Sequence, residues 1–205
     1  MIYNICYITT VISKEKEMPP KAKVNKRDIL NAAATVVRRL GADQLNARAV
    51  ALALGTSTQP IFSHYESMDV LRRDVIAYGG EVYNELIKSE MEGGKYPAYK
   101  SVGLAYIRFA KEDSELFKLC FMRDRAEERI LEDDPQLDPI IELIMKTTGY
   151  SRDLAKLFHL ENWTYVHGIA SMIATSYLSI DWDLIVEMLT DNYVGLKYSF
   201  SKKEN

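Results

Sequence analysis

Apolar side chains recur at three- and four-residue intervals along most of this chain, a pattern that predicts an all-α protein. Residues 27–40 put Ile29, Leu30, Ala33, Val36, Val37 and Leu40 on one broad face, and Gly41 suits a left-handed stop. Residues 46–68 read as two short helices around a tight turn. In the first, Ala49, Val50, Ala53 and Leu54 make the apolar side, Asn46 is a natural N-cap and Gly55 the terminator. In the second, Ser57 is the expected cap and Pro60 falls in the first turn, where a missing N–H costs nothing. A long helix over 69–92 follows, with Asp69 favourable at its dipole and Gly93-Gly94 closing it. Further helices are expected over 98–111, 114–122, 140–148, 151–179 and 182–201, with Pro135 and Pro139 bracketing the start of the third of these. No run alternates as a half-buried strand would, and no internal repeat appears.

The second short helix of the hairpin carries the candidate chemistry. Ile61 and Tyr65 are spaced to face inward, which leaves Thr58, Gln59, Ser63 and His64 on the other side with Phe62 between them. Glutamine can pair with adenine through two hydrogen bonds in the major groove, and threonine methyls and aromatic rings suit the thymine methyl. Arg48, one helix earlier, can reach a guanine edge or a phosphate. This is the layout of a helix-turn-helix that reads DNA. A surface helical hairpin with an ordinary glycine turn fits this stretch equally well.

The flanking residues extend the pattern. Ile29-Leu30, Ala32-Ala33, Gly41, Leu45-Asn46-Ala47-Arg48, Val50-Ala51, Leu54-Gly55, Ser57, Ile61-Phe62, His64-Tyr65 and Leu71 together resemble the amino-terminal domain of the tetracycline-repressor (TetR) family of transcriptional regulators. The resemblance covers about fifty residues, 27–76. It implies a flexible extension over 1–21, a three-helix helix-turn-helix DNA-binding domain over 22–76, and a helical ligand-binding and dimerisation domain over 77–205. It implies DNA contacts from Asn46, Ala47, Arg48, Ser57, Thr58, Gln59, Pro60, Phe62, Ser63 and His64. Three positions depart from the family. Met68 stands where a lysine usually grips a phosphate, Phe62 where a tyrosine is common, and Ala47 where a threonine commonly binds phosphate. Each change weakens the backbone grip rather than base reading, with Lys26, Arg27, Arg48 and His64 as substitutes.

Further on, Trp163, His167 and Gly168 resemble a Trp–His–Gly pattern found in the C-terminal domain of part of that family. Small residues Gly168, Ser171, Ala174 and Thr175 form one stripe, and Ile185, Met188, Leu189, Asn192, Tyr193 and Leu196 another on the last helix. Two adjacent long helices with such faces suit a four-helix homodimer interface, for which Gly168, Ser171, Thr175, Ile185, Leu189 and Tyr193 are the candidates. The body is also rich in Tyr99, Tyr106, Phe109, Phe117, Phe121, Met122, Phe158, Trp163, Tyr165, Met172 and Tyr177, which either build the core or line a cavity. The resemblance implies a small-molecule effector pocket with Tyr106, Phe109, Phe121, Trp163 and His167 as its candidates. The absence of a charged cluster there points to an apolar, aromatic or amphipathic effector.

Composition changes this picture little. The chain has 205 residues, 47% hydrophobic and 27% charged, with a formal net charge of −3. Residues 1–70 carry nine Lys/Arg against six Asp/Glu, so +3, which leaves −6 for the remainder. A basic front on an acidic body orients the molecule towards DNA by that front. Cys6 and Cys120 are the only cysteines, which fits a reducing cytoplasm and offers no metal-ligand spacing. The opening residues 1–12 are apolar but lack a signal peptide's basic start and are too short to span a membrane. Met18 heads a basic stretch like a natural start, so 1–17 reads as an upstream extension or an over-long start, and Lys21–Arg27 as a basic arm on the DNA backbone or a solvated tail. Residues 123–134 are densely charged and read as a solvated face or connector. His64, His159 and His167 are scattered, and neither a nucleophile elbow nor a phosphate loop occurs, so no enzyme activity, catalytic residue, cofactor or metal is expected. The expected partners are a double-stranded DNA operator, a small effector and a second copy of the chain, with no membrane. The competing expectation is a helical ligand-binding or scaffolding dimer that has lost DNA binding.

Overall fold

The computed structural model describes residues 24–124 and 137–202; residues 1–23, 125–136 and 203–205, which hold the expected N-terminal extension, the first three residues of the basic arm and most of the charged connector, lie outside them. The fold is all-α, with nine α-helices, one 3-10 turn and no strand among the described residues. Helix α1, Lys26–Leu40, starts on a capping box in which Asn25 accepts from the Asp28 N–H and Asp28 accepts from the Asn25 N–H, both at 2.9 Å. After the 3-10 turn Ala42–Gln44, α2 (Ala47–Leu54) is capped by Asn46 and stopped by Gly55 at φ 64°, as its sequence predicts. Helix α3, Gln59–His64, departs from expectation at its start. Thr58 takes the cap position in a helical conformation with no side-chain cap bond, so Ser57 does not cap it. With Pro60 in the first turn there is one N–H fewer to satisfy, which lowers the need for a side-chain cap.

Helix α4, Met68–Glu92, is capped by Ser67 and is the longest element at 25 residues. The expected boundary at 76/77 falls inside it, and one apolar core runs from Ile29 on α1 through Leu71 and Val75 of α4 to Ile169 and Leu189. The body adds α5 (Ala98–Glu112), α6 (Ser114–Phe121), α7 (Asp138–Thr148), α8 (Arg152–Ala174) and α9 (Trp182–Phe200). Helix α7 begins before Pro139 rather than after it, because proline is compatible with a first turn. Helix α8 ends at Ala174, five residues short of the expected stop. Ser176 adopts φ 55°, the Tyr177 N–H reaches the Met172 carbonyl and the Ser176 N–H the Ile173 carbonyl, both at 2.9 Å. That is a Schellman stop built on serine instead of glycine, and so without its usual sequence signal. Asn162 of α8, buried, accepts from the Asn192 amide of α9 at 3.0 Å and donates to the Phe158 carbonyl, which fixes the register of the two last helices.

Helices α4 and α6 touch where Gly79 has no side chain. A Cβ added there would lie 2.3 Å from Cys120 Sγ and 3.4 Å from Leu116 Cγ. Gly79→Ala is therefore expected to destabilise by about 1–3 kcal/mol through overpacking, with Cys120→Ala in the same chain recovering most of the loss. Urea unfolding of the two single variants and the double variant checks this; equal, additive losses would contradict the contact.

Candidate nucleic-acid interface and aromatic cluster

Two side chains seat α3. Ile61 is fully buried and Tyr65 1% exposed, so the short helix has one inward edge and presents the rest to solvent. Lys26 of α1 pairs with Asp74 of α4 at 2.9 Å and lies over the Tyr65 ring. Burial, and then the Asp74 charge, push the Tyr65 hydroxyl up to about 12, so it stays neutral. Lys26 thus clamps α1, α3 and α4, and its charge is already paired. Met68, at the start of α4, packs half-buried against the core, as does Ala47.

On the solvent side the candidate residues divide. Arg48, Ser57 and Gln59 are exposed, Thr58 and Pro60 half-buried, and the Phe62 ring is 51% exposed. Others are engaged internally. Asn46 Oδ1 accepts from the Arg48 and Ala49 N–H groups at 3.1 and 3.0 Å, while its Nδ2 donates to the Gln44 carbonyl. The Ser63 hydroxyl donates to the Gln59 carbonyl at 3.0 Å, and His64 Nε2 donates to the Val24 carbonyl at 3.1 Å.

The five pocket candidates do come together. The Tyr106 hydroxyl and His167 Nδ1 are hydrogen-bonded at 2.9 Å, Trp163 stacks on the His167 ring at 5.0 Å, and Phe121 lies 4.8 Å from Tyr106 and 6.2 Å from Phe109. Burial lowers the His167 pKa, which keeps the ring neutral. Tyr106 and Phe109 are buried, whereas Phe121, Trp163 and His167 keep partial access. Two further rings complete the cluster. Phe117 packs 5.1 Å from Tyr106, and Tyr83 of α4 lies 5.5 Å from Tyr106 and 5.9 Å from Phe121. Tyr83 escaped the sequence reading; its position four residues after Gly79 on the inward edge of α4 was the available signal. Tyr99 and Phe158 belong elsewhere, in a second cluster with Tyr150, Tyr193 and Phe200, and Tyr177 is 77% exposed.

Helix α6 joins these parts. Its first turn is fixed to α1 by Arg38, whose Nε meets Asp113 at 2.7 Å and whose guanidinium covers the Tyr78 ring of α4. Its inner face carries Cys120 against Gly79 and Phe117 and Phe121 into the aromatic cluster.

The expected dimer residues split by exposure. A Cβ on Gly168 would meet nothing within 4 Å, Thr175 is exposed and Ser171 half-buried. Ile185 and Leu189, by contrast, are 0% and 7% exposed within the single chain, and Tyr193 packs on Phe158 at 5.5 Å. These three already face the chain's own α5 and α8 sides, because α9 is apolar on two stripes. Its outward stripe is Leu184, Val194 and Tyr198, at 48%, 58% and 65% exposure.

Among the described residues no helix is long and apolar enough to cross a membrane, and no three His, Cys, Asp or Glu converge as metal ligands would. No protein-family model matches the chain, and no curated protein matches it either.

Proposed function

We propose that the chain is a sequence-specific, DNA-binding transcriptional regulator of the TetR type, acting in the cytoplasm as a homodimer on a near-palindromic operator and released by a small molecule. The observation that carries this reading is the short α3: Ile61 and Tyr65 are buried beneath it, while Gln59 and Phe62 stand in solvent with exposed Arg48 on the preceding helix. A buried edge gives a reading helix the rigidity its side chains need, and the exposed amide and ring match base edges. Dimerisation supplies the second reading helix about 34 Å away, one turn of DNA. Gly168 of α8 and Thr175 just past its end, with Leu184, Val194 and Tyr198 of α9, are the surface proposed for it, in place of the covered Ile185, Leu189 and Tyr193.

The effector is an apolar or aromatic molecule entering beside Phe121, Trp163 and His167, which retain access to solvent. Ligand there favours a conformer in which α6 and α4 shift, and with them the spacing of the two α3 helices. Arg38–Asp113 and Cys120–Gly79 are the contacts such a shift must disturb.

The test is binding of the purified protein to the DNA upstream of its own coding sequence, with a salt titration. A footprinted near-palindrome is expected, with affinity falling as salt rises. Gln59→Ala should cost about 1–3 kcal/mol of operator affinity, and Arg48→Ala added to it should abolish the footprint. A dimer that binds small molecules yet retains no DNA at low salt would transfer the function to the helical body; the half-buried Met68 and Ala47, which give a phosphate nothing to hold, are the observations on that side.

A further inference from the structure

We propose that α3 reads A·T base pairs, with Gln59 on adenine and the Phe62 ring against a thymine methyl; this rests on the DNA-binding reading above. Guanine offers two acceptors in the major groove and is read by paired donors, above all arginine or lysine. Residues 57–64 contain no Lys or Arg. The two other donors on α3 are committed within the chain, the Ser63 hydroxyl to the Gln59 carbonyl and His64 Nε2 to the Val24 carbonyl. Asn46, the other amide near this face, is held at both ends as the cap of α2.

What remains on α3 is one amide and one ring. The Gln59 side chain makes no hydrogen bond to the described residues, and a primary amide, donor on one side and acceptor on the other, matches adenine N7 and N6–H₂. Phe62 has no hydroxyl with which to hold a phosphate, and half of its ring lies in water on a helix whose other edge is sealed. The one group in the major groove that gains from an apolar ring is the thymine C5-methyl. Arg48, exposed on α2, is the donor suited to guanine, so a G·C preference belongs at a separate position of the half-site.

The experiment is a selection from random duplexes with the full-length protein, followed by uracil-for-thymine replacement in the selected half-site. The expected result is an enriched half-site with adjacent A·T pairs whose adenine preference disappears when selection is repeated with Gln59→Ala. At one position, removing the thymine methyl should weaken the wild type about fourfold, the value of one buried methyl group, and leave Phe62→Ser unchanged. Selected sites with G·C pairs at the Gln59-dependent positions, or uracil tolerated everywhere by the wild type, would overturn the inference while leaving DNA binding intact. A methyl effect of equal size in Phe62→Ser would assign the reading to another side chain and also overturn it. No enrichment of any sequence at low salt would remove the DNA-binding reading itself. The uracil series on the wild type decides the methyl contact even if the variant is poorly folded.

Discussion

Phe117→Ala is expected to lower the unfolding free energy by about 3–5 kcal/mol, the range for deleting a buried phenyl ring. Phe117 has no solvent exposure and its ring packs on Tyr106, Phe109, Phe121 and His167, with centroids 5.1, 5.9, 5.2 and 6.3 Å away. Helix α6 has only eight residues. A helix that short has little stability of its own and is held by its buried face. Losing the central ring of that face leaves a cavity the long neighbouring helices cannot collapse to fill. Such a loss is a large share of the ~5–15 kcal/mol that holds a typical domain together. Urea unfolding followed by circular dichroism measures it, with Phe121→Ala, at the half-exposed edge, expected to lose distinctly less. A loss below about 1 kcal/mol for Phe117→Ala, far under the cavity range, would mean that the cluster does not hold α6.

Acid should weaken the fold through His159. Its ring is hydrogen-bonded through Nδ1 to the Tyr99 hydroxyl at 3.0 Å and packs beside the second aromatic cluster, and burial lowers its pKa from 6.5 to about 4. The folded state therefore resists taking a proton that the unfolded chain accepts. Above pH 6.5 neither state is protonated and the full stability is present. Between 6.5 and 4 the unfolded chain alone gains a proton, so stability falls as pH falls, by on the order of 3 kcal/mol once both pKa values have been crossed. The Tyr99 hydroxyl, itself pushed up by burial, stays neutral throughout and adds nothing in this window. His167, lowered by the same cause, adds a loss of the same sign. Unfolding free energies measured from pH 8 to pH 4 test the point, against His159→Gln, which lacks the titration and should show a flatter profile. Parallel profiles for the two chains would show that burial of His159 is not the source.

The local signals were legible where backbone chemistry is specific. Asn46 and Gly55 bound α2 because an amide cap and a left-handed glycine each satisfy helix-end groups that few other residues can. The inward pair Ile61 and Tyr65 followed from their spacing alone. The end of α8 was not legible, since Ser176 carries no propensity for the left-handed turn that stops the helix; only the surroundings hold it there. The cap of α3 differs from its sequence signal for a related reason: Ser57 has the right chemistry, but the chain enters the helix one residue later.

Side-chain patterns along the chain thus determined the helices, the sealed edge of α3 and the set of aromatic residues available to the body. They did so because periodicity and capping act within a few residues. The tertiary structure decided which apolar stripe of α9 the chain keeps for itself, and it placed Ile185 and Leu189 inside and Leu184, Val194 and Tyr198 outside. It also drew Tyr83 and Phe117 into one cluster with Tyr106 and His167, and it tied His64 Nε2 to the Val24 carbonyl ahead of α1. Those outcomes depend on how helices distant in sequence approach one another, and a stripe that is equally apolar on two sides does not encode which neighbour it will meet.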